Sequence, residues 1–331
     1  MILRGAVPTV PTVPTVPTFY ASVMFSILAF SCGGGTAGPV SGSDAMAHVK
    51  AMVSHGPRPS GSDAIKRTQD YLIAQIEQLG LQPQVQEWVD PVAAVAFKNI
   101  WTEIPGADPE GPILILAAHY DTKLSEDFRF VGAIDGAGAP SVLLELAKHL
   151  KNRENSPNIW LIFFDGEESI PWEWDDELSL FGSNHFVAEM KQDDARFPKS
   201  VAARLKAFVL LDLIGSKNQK IDRDAASARQ LSEIFLEAAK VMGEEERVFA
   251  FQSQMKDDHV PFKLGAGIPV IDLIDFVRRT PGGANDPQYE QWWHTEKDDL
   301  PAMDPDSLAF VGNLVWHALP ILEEKVFGVG K

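Results

Sequence analysis

The chain of 331 residues contains a single cysteine, Cys32, and has fewer basic than acidic residues. One cysteine cannot form an intramolecular disulfide, so the fold must be stable without that cross-link. With 29 Lys and Arg against 46 Asp and Glu, the net charge is -17. This charge argues against a nucleic-acid partner, because phosphate binding needs a basic surface.

Neither an interior linker nor an internal repeat divides the sequence after its first 42 residues. The length is ordinary for a large α/β enzyme, and a hydrophobic content of 45% is enough for a sizeable core. We therefore predict one catalytic domain over residues 43–331.

The first 42 residues differ from the rest of the chain. A Val-Pro-Thr repeat at 7–18 precedes an apolar stretch at 19–30, and Cys32 follows directly, before three glycines. The apolar stretch is shorter than the roughly 20 residues that span a bilayer, but it suits a signal-peptide core. We expect a bacterial leader and export to the periplasm, with membrane attachment only through a lipid anchor at Cys32. The alternative is a mis-assigned start codon that adds a disordered leader.

Strand and helix patterns alternate along the predicted domain. Short, strongly apolar runs at 112–118, 159–164 and 207–211 are typical of buried parallel strands. Two helices precede them, and strands at 84–89 and 97–103 are predicted at the edge of the sheet. Those two helices are predicted at 44–54 and 62–79. Three more helices are predicted at 140–153, 180–190 and 225–242, followed by a strand at 268–274 and a closing helix from Asp304. The pattern predicts an α/β fold with a doubly wound, mostly parallel sheet flanked by helices.

Acidic residues and histidines follow the apolar runs. His119 and Asp121 end the first run, 165–168 (Asp-Gly-Glu-Glu) follow the second, and Asp212 follows the third. In an open parallel sheet, ligands bind beyond the carboxyl ends of the strands. These clusters, with a later one at His294, therefore predict a metal-binding pocket.

Asp135, Glu168 and His294 can supply the three ligands that catalytic zinc usually takes. Asp135 lies in a glycine-rich turn before a helix, and its alternative role is to cap that helix. Glu167 and Glu168 are adjacent, so their side chains point in different directions. One can bind metal while the other transfers protons, although a Glu-Glu pair can also be a solvated surface.

Several strings in order carry a family resemblance: Phe-Phe-Asp-Gly-Glu-Glu at 163–168, Ser-Leu-Phe-Gly-Ser at 179–183, Leu-Asp-Leu-Ile-Gly at 211–215, Asp-Asp-His-Val-Pro-Phe at 257–262 and Trp-His-Thr at 293–295. From about His55 onward, the chain resembles the glutaminyl-peptide cyclotransferases, which share a fold with zinc aminopeptidases. The resemblance implies an enzyme that cyclises the N-terminal glutamine of peptides or proteins to pyroglutamate and releases ammonia. We expect a monomer.

The resemblance also implies roles for individual residues. One zinc ion would be bound by Asp135, Glu168 and His294, and Glu167 would be the acid-base residue. Asp212 and Asp257 would form an acidic network beside it. Aromatic residues would form the substrate pocket: Trp293, Tyr289, and Trp174 in preference to Trp172.

Two other functions remain open on the sequence. In the aminopeptidases, a histidine like His119 and an acid like Asp212 hold a second zinc, with Asp135 bridging the two ions, and these residue types are all present here. A non-catalytic peptide-binding protein of the same fold would have lost a ligand or the acid-base carboxyl, and neither is missing.

Overall fold

The computed structural model describes residues 37–192, 196–277 and 291–328. Residues 1–36 of the predicted leader, with Cys32, and the predicted pocket residue Tyr289 lie outside these ranges. Among the residues that are described, no helix has both the length and the apolar character needed to cross a membrane.

Eight α-helices and eight strands are found in the described ranges. The helices are α1 Gly42–Ser54, α2 Asp63–Gln78, α3 Gly138–Leu150, α4 Phe181–Met190, α5 Lys199–Arg204, α6 Arg229–Met242, α7 His259–Pro261 and α8 Pro305–Lys325. The strands are β1 Pro83–Val89, β2 Ala96–Ile104, β3 Ile113–His119, β4 Asn158–Phe164, β5 Leu205–Asp212, β6 Ile221–Asp224, β7 Val248–Ser253 and β8 Val270–Ile274. The predicted helices and strands are confirmed, with boundaries that differ by a few residues.

Six strands form one sheet in the order β1-β2-β4-β3-β5-β8. The pairs β3–β4, β3–β5 and β5–β8 are parallel, whereas β1–β2 and β2–β4 are antiparallel. The mostly parallel sheet is therefore confirmed, but β2 is an interior strand, and its predicted edge position is wrong. Ile100 and Trp101 point to opposite faces of β2 and are both buried, as an interior strand requires.

A second, two-stranded sheet pairs β6 with β7. Sequence patterns did not predict it, because β6 reads Ile-Asp-Arg-Asp and lacks the apolar run that marks a buried strand. This small sheet carries Asp224 at the end of β6.

The main sheet separates two apolar layers. Leu114 and Leu116 of β3 pack with the core that contains α1, α3, α6 and α8. Ile113 and Ile115 face the other layer, which contains Phe186 of α4. Alternate side chains of one strand thus point to opposite faces of the sheet, and both faces are covered by apolar residues. The polar residues therefore lie at the strand ends.

Gly138 allows two strand-end loops to meet at the first turn of α3. A Cβ atom on Gly138 would lie 1.7 Å from the carbonyl oxygen of Ile214, in the loop after β5. This distance is too short for any side chain, and the obstructing atom belongs to the backbone. The close approach brings the Asp135 turn next to the end of β5.

We expect Gly138→Ala to lower the free energy of unfolding by about 3 kcal/mol, because the loop after β5 must move to admit the methyl group. Urea unfolding followed by circular dichroism measures this loss. Gly80→Ala is the control, since Gly80 has a φ of +75° but nothing within 4 Å of its added Cβ. Gly80→Ala should lower the free energy of unfolding by about 1 kcal/mol, the cost of a left-handed backbone without a steric clash. Equal losses in the two variants would contradict the packing argument.

Candidate active site

A pocket of about 210 Å³ lies at the carboxyl ends of the parallel strands. Asp212 is the last residue of β5, and Glu167 and Glu168 follow the end of β4. The zinc ligands, acidic residues and aromatic residues that the resemblance implies, where they fall in the described ranges, line this pocket: Asp135, Glu167, Glu168, Trp174, Asp212, Asp257, Trp293 and His294. The residues predicted to share a site are thus brought together, although they are spread over 160 positions of the chain.

The turn after β4 sets the direction of the two glutamates. Gly166 has a φ of +70°, which suits glycine, and an added Cβ would lie 2.5 Å from the ring of Phe97. The backbone N–H groups of Glu167 and Glu168 each donate to the carboxylate of Asp121, at 3.2 Å. Asp121 therefore fixes the backbone from which both glutamate side chains enter the pocket.

Asp135, Glu168 and His294 form the first group that can hold a metal ion. Nε2 of His294 lies 3.3 Å from Oε1 of Glu168 and 3.5 Å from Oδ2 of Asp135. Oδ2 of Asp135 is buried and has no hydrogen-bond partner among the described residues. An unpartnered buried carboxylate oxygen is costly unless a cation satisfies it, so the group fits a zinc ion.

The charges of this group also suit a metal. Burial would raise the pKa of Glu168, but His294 and Lys123 outweigh burial and lower it to about 2. Burial and the charge of Glu168 raise the pKa of Asp135 to about 6. Both groups are therefore mainly carboxylates above neutral pH.

The alternative role of Asp135 as a helix cap is wrong. The N-cap residue of α3 is Ala137, and no side chain caps this helix. The backbone N–H groups of Ile134 and Asp135 instead donate to the buried carboxyl group of Asp298, at 2.7 and 3.0 Å. Asp298 thus holds the turn, and the side chain of Asp135 is left directed toward His294.

Glu167 differs electrostatically from the adjacent Glu168. Burial, followed by the charges of Asp257 and Glu168, raises the pKa of Glu167 well above its usual value. Asp257 has a raised pKa as well, because it is buried near Asp212 and Asp258. Glu167 therefore keeps a proton more readily than an ordinary glutamate does, as an acid-base residue near neutral pH requires.

His119 joins the ends of β3 and β5. Its Nε2 lies 3.1 Å from Oδ1 of Asp212 and 3.3 Å from Oδ1 of Asp135, and its Nδ1 lies 3.3 Å from Oδ1 of Asp121. His119, Asp135 and Asp212 form a second group that can hold a metal ion. Asp135 belongs to both groups, so the arrangement has room for one ion or for two that share this carboxylate.

Aromatic rings form much of the remaining pocket wall. The indole of Trp293 stacks on the His294 ring, with centroids 3.9 Å apart, and contacts the edge of Phe276. Trp174 lines the pocket, and its Nε1 donates to Asp176 at 2.7 Å. Trp172 is not among the lining residues and packs against Phe128 and His294. Of the two tryptophans, Trp174 is the one that lines the pocket.

Residues 99–319 match the model of a protein family described as "Peptidase family M28". The matched segment covers two thirds of the chain and includes every residue of the two candidate metal groups. The chain belongs to peptidase family M28.

Several relatives are similar over most of the chain. A glutaminyl-peptide cyclotransferase of Dictyostelium discoideum is 28% identical over 284 residues, covering 73% of this chain and 75% of the relative. A glutaminyl-peptide cyclotransferase-like protein of Bos taurus is 32% identical over 240 residues, covering 66% of this chain and 58% of the relative. The crystal structure of an Acidobacteriales bacterium glutaminyl cyclase aligns with a TM-score of 0.77 and 27% identity, covering 89% of this chain and 99% of that chain.

One acid of the predicted clusters lies apart from this M28 site. The Asp165 carboxyl accepts hydrogen bonds from Ser60 at 2.6 Å, from Gln69 at 3.1 Å and from the backbone of Lys98 at 3.0 Å, and it does not line the pocket. The prediction that Asp165 contributes to the metal pocket is therefore wrong. Its donors come from α2, β2 and the segment before α2, and no local pattern identifies such long-range partners.

Lys123 is a buried basic residue that no local sequence pattern indicates. Its side chain is 1% exposed, with Nζ 3.8 Å from Oε2 of Glu168. Its Nζ also donates to the carbonyl oxygen of Ser169 at 2.9 Å, and its backbone N–H donates to Oε1 of Glu168 at 3.2 Å. Lys123 thus stabilises the ionised form of Glu168.

We expect Lys123→Met to lower the free energy of unfolding of the metal-free protein by about 3 kcal/mol, because it leaves the buried Glu168 carboxylate with less compensation. Chemical denaturation in EDTA measures this loss. The matched control is Lys98→Met, since Lys98 pairs with Glu87 at 2.6 Å where Glu87 is 60% exposed. A pair of that kind contributes only about 0–1 kcal/mol, so a loss from Lys123→Met no larger than the control's would refute the role.

Proposed function

We propose that this chain is a zinc-dependent glutaminyl-peptide cyclotransferase, which converts an N-terminal glutamine to pyroglutamate and releases ammonia. The observation that carries the proposal is the placement of Asp257 beside Glu167 in a pocket that also holds a complete metal-ligand set. Relatives that cover most of this chain bear the name of this activity. Together, the acid pair and the relatives favour cyclisation over other chemistry of the M28 fold.

In the proposal, Asp135, Glu168 and His294 hold one zinc ion. When bound there, zinc supplies a Lewis acid for the side-chain carbonyl oxygen of the substrate glutamine. The buried Asp135 oxygen without a partner and the ionised Glu168 support this assignment. The remaining chemistry is proton transfer, which the side chains of the pocket perform.

Glu167 is the proposed acid-base residue. Its carboxylate accepts a proton from the α-amine as the amine nitrogen attacks the γ-carbonyl carbon. The same carboxyl group then donates that proton to the amide nitrogen as the carbon–nitrogen bond breaks, and ammonia leaves. The carbonyl group re-forms in the ring that the attack has closed, and Glu167 returns to its ionised state. The raised pKa of Glu167 supports both roles, because it makes the carboxylate a stronger base and lets the acid form persist at higher pH.

The shape of the pocket suits one glutamine residue. Its volume of about 210 Å³ leaves room for one side chain and its amine. The rings of Trp174 and Trp293 offer apolar walls to the methylene groups of that side chain. The carboxyl groups of Asp212 and Asp257 lie where they can accept hydrogen bonds from the substrate's nitrogen atoms.

The second candidate function is that of a two-zinc aminopeptidase. It is favoured by the group His119, Asp135 and Asp212, whose potential ligand atoms lie within 4.8 Å of one another. In that reaction a water would cleave the first peptide bond and release the whole residue. The two functions therefore differ in their products and in the number of bound ions.

Mass spectrometry of a short glutamine-initiated peptide, incubated with the purified protein and zinc, tests the proposal. We expect loss of ammonia from the peptide, with no release of free glutamine. Glu167→Gln should abolish turnover while zinc remains bound, because the amide cannot accept the proton and the ligand set is intact. The conservative control is Glu177→Gln, an exposed glutamate outside the pocket. Release of free glutamine, or an active Glu167→Gln, would refute the assignment.

Metal analysis separates one zinc from two. We expect one zinc ion per chain after dialysis against zinc-free buffer, with Glu168→Gln losing the ion and His119→Gln retaining it. Elemental analysis of the three proteins measures the ratio. Two ions in the wild-type protein, one of which is lost from His119→Gln, would favour the aminopeptidase.

A further inference from the structure

A groove opens beside the candidate active site, between α4 and residues 260–265. Its volume is about 890 Å³, which is about four times the 210 Å³ of the active-site pocket. None of its lining residues belongs to the groups that can hold a metal ion. The proposed reaction at a single glutamine therefore leaves this groove without a role.

The groove and the active-site pocket share one lining residue, Lys256. Its Nζ donates to both carboxylate oxygens of Asp176 at 2.7 Å. Oδ1 of Asp176 also accepts the Nε1–H of Trp174 at 2.7 Å, and Trp174 lines the active-site pocket. The pair of Lys256 and Asp176 thus marks the boundary between pocket and groove. The side chains of this pair are 62% and 64% exposed, so the boundary is open to solvent and no buried wall separates the two spaces.

One face of α4 forms the first wall of the groove. Asn184, Ala188 and Lys191 line it at the spacing of successive helical turns. The helix rises roughly 10 Å from Asn184 to Lys191, a distance that an extended peptide covers with about three residues. The groove therefore has the length of a short peptide segment.

The floor and the second wall of the groove are apolar. Val187 is 4% exposed and Pro261 is buried, whereas Leu264 is 78% exposed although it lines the groove. An added Cβ on Gly265 would lie 2.5 Å from Cγ1 of Val187, so the two walls meet at the floor. Leu264 above this floor therefore offers apolar contact to a side chain that enters the groove.

Lys191 places a positive charge at the far end of the groove. The added Cβ on Gly265 would lie 3.3 Å from Nζ of Lys191, so the ammonium group lies where the two walls meet. Across the described ranges of the chain, this ammonium group has no acidic partner and no hydrogen-bond acceptor. On a chain with a net charge of -17, such a lysine favours a carboxylate supplied from outside.

We propose that this groove binds the segment of the peptide substrate that follows the N-terminal glutamine. The second residue crosses the pair of Lys256 and Asp176, and the next residues lie along α4. An apolar side chain packs against Leu264, and a carboxylate at about the fifth residue pairs with Lys191. The preferred substrates are therefore peptides with an apolar residue followed by an acidic one. This inference rests on the proposed function, because it names the peptides that the same site receives.

Kinetics of pyroglutamate formation from three synthetic peptide amides test the proposal. The first peptide is Gln-Ala, the second is Gln-Ala-Ala-Leu-Glu-Ala, and the third has Lys in place of Glu. The wild-type protein should show a kcat/KM about tenfold higher for the Glu peptide than for the dipeptide, mainly through KM, because only the longer chain reaches the groove. It should favour the Glu peptide over the Lys peptide about fivefold, as one partly exposed ion pair allows.

A charge reversal tests the role of Lys191. Lys191→Glu should reverse the preference, so that the Lys peptide becomes the better substrate, while kcat/KM for the dipeptide stays unchanged. The matched control is Lys50→Glu, since Lys50 is an exposed lysine of α1 that lines neither the pocket nor the groove. The control should keep the wild-type preference.

A second pair of variants tests the apolar contact. Leu264→Ser should lower kcat/KM for both hexapeptides about threefold and leave the dipeptide unchanged. Leu124→Ser is its control, because Leu124 is 55% exposed and lines neither the pocket nor the groove. All four substitutions fall at exposed positions, and an unchanged rate with the dipeptide shows that each variant keeps its active site.

Three outcomes would overturn the groove as the binding site. The first is a wild-type protein that uses all three peptides with equal kcat/KM, and the second is a preference for Glu over Lys that persists in Lys191→Glu. The third is an equal loss in Leu124→Ser and Leu264→Ser, which would show that the peptide leaves the pocket by another route. Each of these outcomes leaves the proposed cyclisation standing, whereas no pyroglutamate from any of the peptides would refute the proposed function itself.

Discussion

Buried carboxyl groups at the carboxyl edge of the main sheet constrain everything around them. Asp121, Asp135, Glu167, Glu168 and Asp212 are each at most 8% exposed, and so many buried negative charges cannot coexist without compensation. The structure compensates them in three ways: backbone N–H donors, buried cationic side chains and raised pKa values. A metal ion would be a fourth way, and one unpartnered oxygen of Asp135 supports it.

The parallel sheet makes this concentration of charge possible. Its strands are apolar on both faces, so the polar residues fall at the strand ends, where the chain turns toward the next helix. Glycines then allow the turns to approach each other. Gly138 meets the backbone after β5, and Gly136 has a φ of +103° with Asp121 close by. The rigid core thus supports a site composed almost entirely of loop residues, which is where function commonly resides.

The sequence was sufficient for the parts of the site that depend on local patterns. The apolar runs predicted β3, β4 and β5, and the acids that follow them were expected to lie at one edge. The role of His294 was expected from its residue type and from the family resemblance, because no local pattern relates it to strands far earlier in the chain. Lys123 and Asp298 were missed for a related reason: their importance depends on contacts with Glu168 and Asp135 that only the folded chain creates. The two-stranded sheet was also missed, since β6 lacks the apolar pattern of a buried strand.

Glu167 and Glu168 show how environment separates identical side chains. They are adjacent, and both backbone N–H groups donate to one carboxylate. Glu168 turns toward His294 and Lys123, which lower its pKa to about 2, whereas burial and the charge of Asp257 raise the pKa of Glu167. Glu168 is therefore suited to bind a cation, and Glu167 is suited to carry a proton.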